Sequence, residues 1–211
     1  GVAHLMENQI EGVLHTGKMM HALLKLAQQQ GIQIINGIGA VKMEEETNGI
    51  SIATTPGWRI HAQHVVVATN GFASKLIPEL AVNPARNQVL VTEPIADLPF
   101  RGGFHYDRGY VYFREIDGRI LLGGGRNLDP EGETTTELGQ TEQIRAYLHN
   151  LLATVILPGR EVELKQVWSG IMGVGKVKSP IVKNISSKVT VAVRLGGMGV
   201  AIGTLVGEEA A

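Results

Sequence analysis

The sequence contains no cysteine among its 211 residues. Disulfides, thiolate nucleophiles, iron–sulfur clusters and cysteinyl-flavin links are therefore excluded within the chain, and its redox compartment stays open. An excess of one charge is also missing. Nineteen Lys and Arg stand against 20 Asp and Glu, for a net charge of -1, and no basic run offers the footprint that phosphate-backbone binding requires, so no nucleic acid is expected as a partner. No apolar stretch approaches the roughly 20 residues that span a bilayer. Gly1 to Ile10 lacks a basic region followed by an apolar one, and the expected location is the cytoplasm, with any leader upstream of position 1 left open. The seven histidines show no ligand spacing, and His61 with His64 lacks neighbouring carboxylates; they read as single surface or core residues.

What the chain does have is 44% hydrophobic residues, enough for a core of ordinary size, and 27 glycines. Glycine is used where backbone turns sharply or approaches a ligand closely. Thr16, the apolar positions Met19, Met20, Leu23, Leu24 and Ala27, and the closing Gly31 predict a capped amphipathic helix over 16–30. Ile32 to Ile35 reads as a strand, as do the stretch around Ala40-Val41-Lys42-Met43 and, after the turn signal Asn48-Gly49, Ile50 to Ala53. Val65-Val66-Val67-Ala68-Thr69 is a continuous apolar run of the kind buried on both faces of a parallel sheet, and it ends at Asn70-Gly71 before a short helix at 72–76. Open α/β sheets place ligands at such strand ends, although small residues there also serve packing alone.

From Asn83 the pattern becomes β-rich. Gln88–Thr92, Gly109–Arg114 and Arg119–Gly123 read as antiparallel strands, with Asp117-Gly118 joining the last two. A helix is expected over 137–153 and a strand over 161–168. At the end, Val189–Leu195 is a strand followed by Gly196-Gly197-Met198-Gly199 and a helix-compatible stretch, which is the order of a phosphate cradle.

Two glycine motifs fail on physical grounds. Gly197 to Gly203 superficially fits a dinucleotide fingerprint, but a second βα unit and an acid about 20 positions on are needed, and eight residues remain. Gly170 to Val177 nearly matches a P-loop, yet Val177 has no hydroxyl for Mg²⁺ and Ser179-Pro180 stops the helix that should receive phosphate. Tyr110, Tyr112, Arg114 and Arg126 gather on strands where they could orient a carboxylate or amine; exposed strand positions would account for them as well.

Taken in order, these pieces resemble the D-amino-acid-oxidase, glycine-oxidase and sarcosine-oxidase superfamily of FAD-dependent oxidoreductases, over nearly the whole chain. The carrying residues are Thr16 to Val41, Val65 to Gly71, Pro84-Ala85-Arg86, Thr92-Glu93-Pro94, Tyr112-Phe113-Arg114 with Asp117 to Gly124, Trp168-Ser169-Gly170 and Gly196 to Glu208. The central motifs look like the branch containing γ-glutamylputrescine oxidoreductase. The resemblance implies an α/β chain of mixed α+β character, with a discontinuous FAD/NAD(P)-binding-type domain built from 1–85 and 166–211 and an inserted antiparallel substrate domain at 86–165. It implies non-covalent FAD bound through Val41, Ala68, Thr69, Asn70, Gly71, Gly196, Gly197, Met198, Gly199 and Val200. A substrate amine or amino acid would meet Tyr110, Tyr112, Arg114, Arg126 and Met172.

The implied reaction is hydride transfer from the carbon next to nitrogen to flavin, with O₂ or another carrier as electron acceptor. Three departures shape the expectation. The family's GxGxxG unit is absent from these 211 residues, so the chain is expected to be an N-terminally truncated piece that holds FAD weakly. Met172 lies in the stretch where amino-acid oxidases carry an Arg, and Ala201 where sarcosine-oxidase-like members carry an oxygen-activating Lys. A non-catalytic module that keeps the fold without its own cofactor is the rival expectation, and a dehydrogenase using Gly197 to Gly203 for NAD(P) is a third.

Overall fold

In the computed structural model, which describes residues 2–211, the chain divides into two compact units. One, the flanking unit, comprises Met20–Ala85 and Ile171–Ala211; the other, the middle unit, comprises the stretch ending at Met19 together with Arg86–Gly170. The stretch up to Met19, expected with the first flavin segment, thus clusters with the strands of the middle. No helix among the described residues is long and apolar enough to cross a membrane.

The chain opens into helix α1 (Thr16–Gln29). Its N-terminus is capped by His15, whose Nδ1 accepts the Lys18 N–H at 3.2 Å, rather than by Thr16. Its C-terminus closes as expected, with Gly31 left-handed at φ 79°. The apolar residues of α1 are not buried, and the strand expected at 32–35 does not form: Ile32, Ile34 and Ile35 are exposed and make no ladder. β-Propensity alone does not hold a strand without a pairing neighbour. Strands β1 (Ala40–Glu46), β2 (Gly49–Thr54) and β3 (Arg59–Ala62) follow as an antiparallel meander. Strand β4 (Val65–Val67) is shorter than its apolar run, and Val66 is half exposed, so one of its faces is not covered as expected. A 3₁₀ turn at Asn70–Phe72 leads into the single-turn helix α2 (Ala73–Leu76).

The middle unit is a five-stranded antiparallel-rich sheet. It is made of β5 (Asn83–Thr92), β6 (Gly103–Tyr106), β7 (Val111–Ile116) and β8 (Arg119–Gly124), with helix α3 (Glu142–Leu151) preceding β9 (Leu164–Val174); the strand order is β6-β7-β8-β5-β9. Strand β7 starts two residues later than expected because Asp107, Arg108 and Gly109 all adopt positive φ and turn the chain just before it. The β7–β8 hairpin turns on Asp117-Gly118, both left-handed, which is the conformation that pair favours. Leu90, Val111, Ile120 and Leu122 face Ile144, Leu148 and Leu151 of α3, forming the core of this unit. Each fully buried aliphatic side chain there contributes about 1.5–3 kcal/mol.

Helix α3 begins at Glu142 instead of 137. Gln88 seizes Thr141 on both sides, accepting its N–H at 3.0 Å and donating to its hydroxyl at 2.9 Å, which keeps 137–141 out of the helix. The same Gln88 amide donates to Glu133, a carboxylate only 2% exposed that also receives Arg86 Nη2 at 2.7 Å. Arg86 reaches the carbonyls of Gly132 and Glu137 as well, so one buried ion pair fastens the whole 132–141 crossing to β5.

Strand β9 carries on through Val174, so the near-P-loop sequence is strand from Gly170 to Val174 and no helix directly follows it to receive phosphate. The chain then completes the flanking unit with β10 (Ile181–Asn184), β11 (Val189–Val193) and helix α4 (Gly199–Ala210), in a second sheet ordered β10-β11-β4. Here β11 runs parallel to β4, Val189 opposite Val65 and Val191 opposite Val67. The result is the mixed α/β architecture with antiparallel sheets that the sequence predicts.

Removing one partner of the buried pair strands the other charge. Glu133→Ala is expected to cost the middle unit about 3–5 kcal/mol, and replacing both Arg86 and Glu133 by Met should recover most of that loss. Urea denaturation followed at Trp168, in a Trp58→Phe background, checks this; a loss below about 1 kcal/mol, the level of an exposed pair, would show that the pair does not hold the crossing.

Candidate functional site

Because β4 and β11 are parallel, their carboxyl ends emerge at the same edge of the sheet, and three segments meet there: Ala68 to Gly71 after β4, Ile171 to Val174 at the end of β9, and Arg194 to Gly199 after β11. Asn70 is left-handed at φ 46° and its Oδ1 accepts the Leu195 N–H at 3.1 Å. Gly196 N–H in turn donates to the Gly173 carbonyl at 2.9 Å. The contacts are close enough to require glycine at two places. A Cβ on Gly71 would lie 2.6 Å from the Met172 carbonyl oxygen, and one on Gly173 would collide with Asn70 Oδ1.

The glycine turn itself takes φ of 59° at Gly196 and 85° at Gly197, then closes with Met198 N–H on Leu195 O. Helix α4 starts directly behind it. No side chain caps α4, so its first N–H groups are left unpaired by the helix at the positive end of its dipole. The helix is held on β11 through Ala192, Val206 and Ala210. Gly197 faces Met172, whose Sδ lies 3.5 Å from where a Cβ would stand.

Of the residues expected to bind cofactor, the structure brings Asn70, Gly71, Gly196, Gly197, Met198, Gly199 and Val200 to this edge. Ala68 and Thr69 lie exposed at the exit of β4. Val41 does not join them; it sits exposed on the edge strand β1 of the other sheet. Two residues that matter here escaped the sequence reading. Gly173 is a glycine inside a strand, a pattern that does signal close backbone approach. Arg194 gave no such signal: it is left-handed at φ 63°, and its side chain runs past Gly175 to the carbonyls of Ser179 (2.9 Å) and Ala81 (3.3 Å).

In the middle unit the four expected substrate residues fall into separate settings. Tyr112 and Arg114 share the face of β7 opposite Val111 and Phe113, which pack into the core. Tyr112 lies over Gly123 and its hydroxyl accepts from Asn87 at 3.1 Å. Burial pushes its phenol above the ordinary value, against the pull of Arg114 and the Asn87 hydrogen bond. Arg114 turns toward the preceding segment, donating to the Leu14 carbonyl and the Thr16 hydroxyl, with its Nε buried and unpaired. Tyr110 and Arg126 form their own pair, the guanidinium 5.3 Å from the ring centroid. Met172 belongs to the flanking unit and stays with the glycine turn.

These contacts predict two outcomes. Gly71→Ala forces backbone apart at the meeting point and is expected to destabilise the flanking unit by about 1–3 kcal/mol, as overpacking does; an unchanged denaturation midpoint would remove the close-approach argument. In an ultraviolet titration, Tyr112 should ionise above the ordinary tyrosine value, and Tyr112→Phe should delete one late-ionising step.

The family model described as FAD dependent oxidoreductase (DAO) matches residues 3–211. A probable oxidoreductase, OrdL, from Rhizobium meliloti (strain 1021) is 26% identical over 205 residues, which cover 93% of this chain and 46% of that protein. Among solved structures, L-proline dehydrogenase from P. horikoshii superposes with a TM-score of 0.74 at 19% identity, covering 92% of this chain and 54% of that one. Glycine oxidase from Geobacillus kaustophilus gives 0.74 at 18% identity, with 89% and 50% covered. These likenesses show the fold, and the chain spans about half the length of the proteins it matches. On the family match, the chain belongs to the FAD-dependent oxidoreductase family.

Proposed function

We propose that these residues form the flavin-ring side and the substrate sheet of an enzyme that oxidises the C–N bond of an amine or amino acid. The observation that carries this reading is the meeting of Asn70-Gly71, Met172-Gly173 and the glycine turn at the uncapped start of α4. The features of this edge fit a flavin ring: space left by glycine, N–H groups unpaired by the helix and no carboxylate side chain from Asn70, Gly71, Met172, Gly173 or Gly196–Gly199. Bound non-covalently, FAD would supply the hydride-accepting chemistry, and the protein the positioning.

In this reading the N–H groups of Gly199 and Val200 would hold the ring and supply fixed donors for the electron density it gains on reduction. Met172 presents a thioether in place of a carboxylate-binding guanidinium. That favours an amine or an N-substituted amino acid over a simple amino acid; on the middle unit taken by itself, the Tyr110–Arg126 pair and, separately, Tyr112 are the side chains proposed to meet substrate. Ala201 has no ammonium to assist oxygen, so the acceptor is O₂ or another carrier. The cofactor is assigned to the flanking unit, Met20–Ala85 and Ile171–Ala211, and the substrate to the strands of the middle unit. The names of the fold relatives, an amino-acid oxidase and an amino-acid dehydrogenase, agree with this chemistry. The cradle for the ADP half is assigned to a part of the enzyme outside these 211 residues, which the half-length match to relatives supports.

The test is retention of flavin. The chain, and the product of its gene extended upstream where the reading frame continues, are mixed with excess FAD, freed of unbound ligand and examined for the visible flavin spectrum. Flavin is expected on the extended product and little on the 211 residues alone; if neither holds it, the flavoenzyme reading falls.

A further inference from the structure

We propose that Asn70 is a positioning residue that sets the glycine turn 196–198, and through it the aim of the α4 N–H groups, without itself touching substrate or ring. The inference rests on the flavin-site reading above and assigns its geometry to one side chain.

Strand β11 ends at Val193, and the next residue, Arg194, is left-handed. The N–H of Leu195 therefore leaves the ladder and, being partly buried, is stabilised by another acceptor. Asn70 supplies it from 125 positions away, through an amide oxygen at 3.1 Å. The adjoining N–H, that of Gly196, is taken by the Gly173 carbonyl. With two consecutive N–H groups held, Gly196 and Gly197 turn left-handed, Met198 N–H closes on Leu195 O, and the N–H groups of Ala201 and Ile202 both fold back on Met198 O to begin α4. The direction of the helix start is thus referred to Leu195, and Leu195 to Asn70.

Asparagine suits the position on two counts. Its φ of 46° lies in a region that Asn enters more readily than most residues, and its carboxamide oxygen accepts without bringing a charge. Gly173 completes the arrangement, because any side chain there would collide with that oxygen.

Two variants separate these properties. Asn70→Gly keeps the left-handed backbone and removes the acceptor; Asn70→Asp keeps the acceptor and adds a negative charge beside the turn. Amide hydrogen exchange in the flavin-free chain should show Leu195 exchanging about tenfold faster or more in Asn70→Gly, the loss of one ordinary hydrogen bond, with protection restored in Asn70→Asp. In the flavin-retaining enzyme, both variants should lower the flavin midpoint potential, Asn70→Gly by loosening the donors and Asn70→Asp by placing negative charge against the electron-rich reduced ring. Circular dichroism establishes that each variant is folded, and Asn70→Ser, which removes the amide oxygen, takes the place of Asn70→Gly in both measurements if Asn70→Gly is not.

Unchanged Leu195 exchange in Asn70→Gly overturns the proposal. So does altered exchange with potential and FAD affinity unchanged, which would make Asn70 a packing residue only. If instead the unaltered enzyme holds no flavin in any form, the functional reading fails whatever the exchange shows, so the two failures are told apart.

Discussion

The parallel pairing of Val65–Val67 with Val189–Val191 is the constraint on which the rest of the arrangement depends. Three residue pairs bring together strands separated by the whole middle unit, and closing so long a loop is entropically unfavourable before any contact forms. The cost is offset by apolar burial: Val67, Val189, Val191 and Val193 are all under a tenth exposed and pack with Ile50, Ala73, Ile77 and Leu80. Parallel direction matters as much as proximity. An antiparallel pair would put the exit of β4 beside the entrance of β11, and Asn70 would be far from Leu195.

The middle unit solves a related problem by a different physical means. Strands β6 to β8 are joined by local hairpins, which need little help, but the polar crossing from Asn127 to Thr141 has few apolar residues to bury. It is fastened instead by Arg86, Gln88 and Glu133. Both oxygens of the Glu133 carboxylate accept hydrogen bonds, Oε1 from Arg86 Nη2 and the Gln88 amide and Oε2 from Arg86 Nε, which is the condition under which a buried charge is tolerated. A residue type that would otherwise be a defect becomes the anchor for the start of α3.

What could be read from the sequence follows the range of the interaction involved. Strand β11, the glycine turn and α4 follow from apolar pattern and glycine alone, and so does the Asp117-Gly118 hairpin; both are specified within a dozen residues. The segment Ile32 to Ile35 has the composition of a strand and is not one, because a strand is made by its neighbour as well as by itself. The start of α3 was misplaced for the same reason: Thr141 is held by Gln88, 53 positions away. Arg114 had the right chemistry for a substrate ligand, but its partners, Leu14 and Thr16, lie about 100 positions back and nothing in the local pattern names them.

The candidate site shows how little titratable chemistry such a position needs. Its donors are backbone N–H groups, its walls are glycines and a methionine, and its connecting hydrogen bond is a neutral amide. Groups of this kind keep their charge distribution across the working pH range, unlike a His or Lys donor, and they cannot rotate away once the turn is closed. Their weakness is that a fixed dipole is useful only if it is aimed. In the proposed site that aim would rest on two non-glycine residues in left-handed backbone, Asn70 and Arg194, each tied by its side chain to another segment of the chain. Left-handed conformation costs an ordinary residue about 1–2 kcal/mol, and it persists where surrounding contacts over-determine it. Asp97, Asp107, Arg108 and Asp117 take the same conformation in connecting turns; what sets Asn70 and Arg194 apart is that they follow the carboxyl ends of the same parallel pair and are tied by their side chains to other segments.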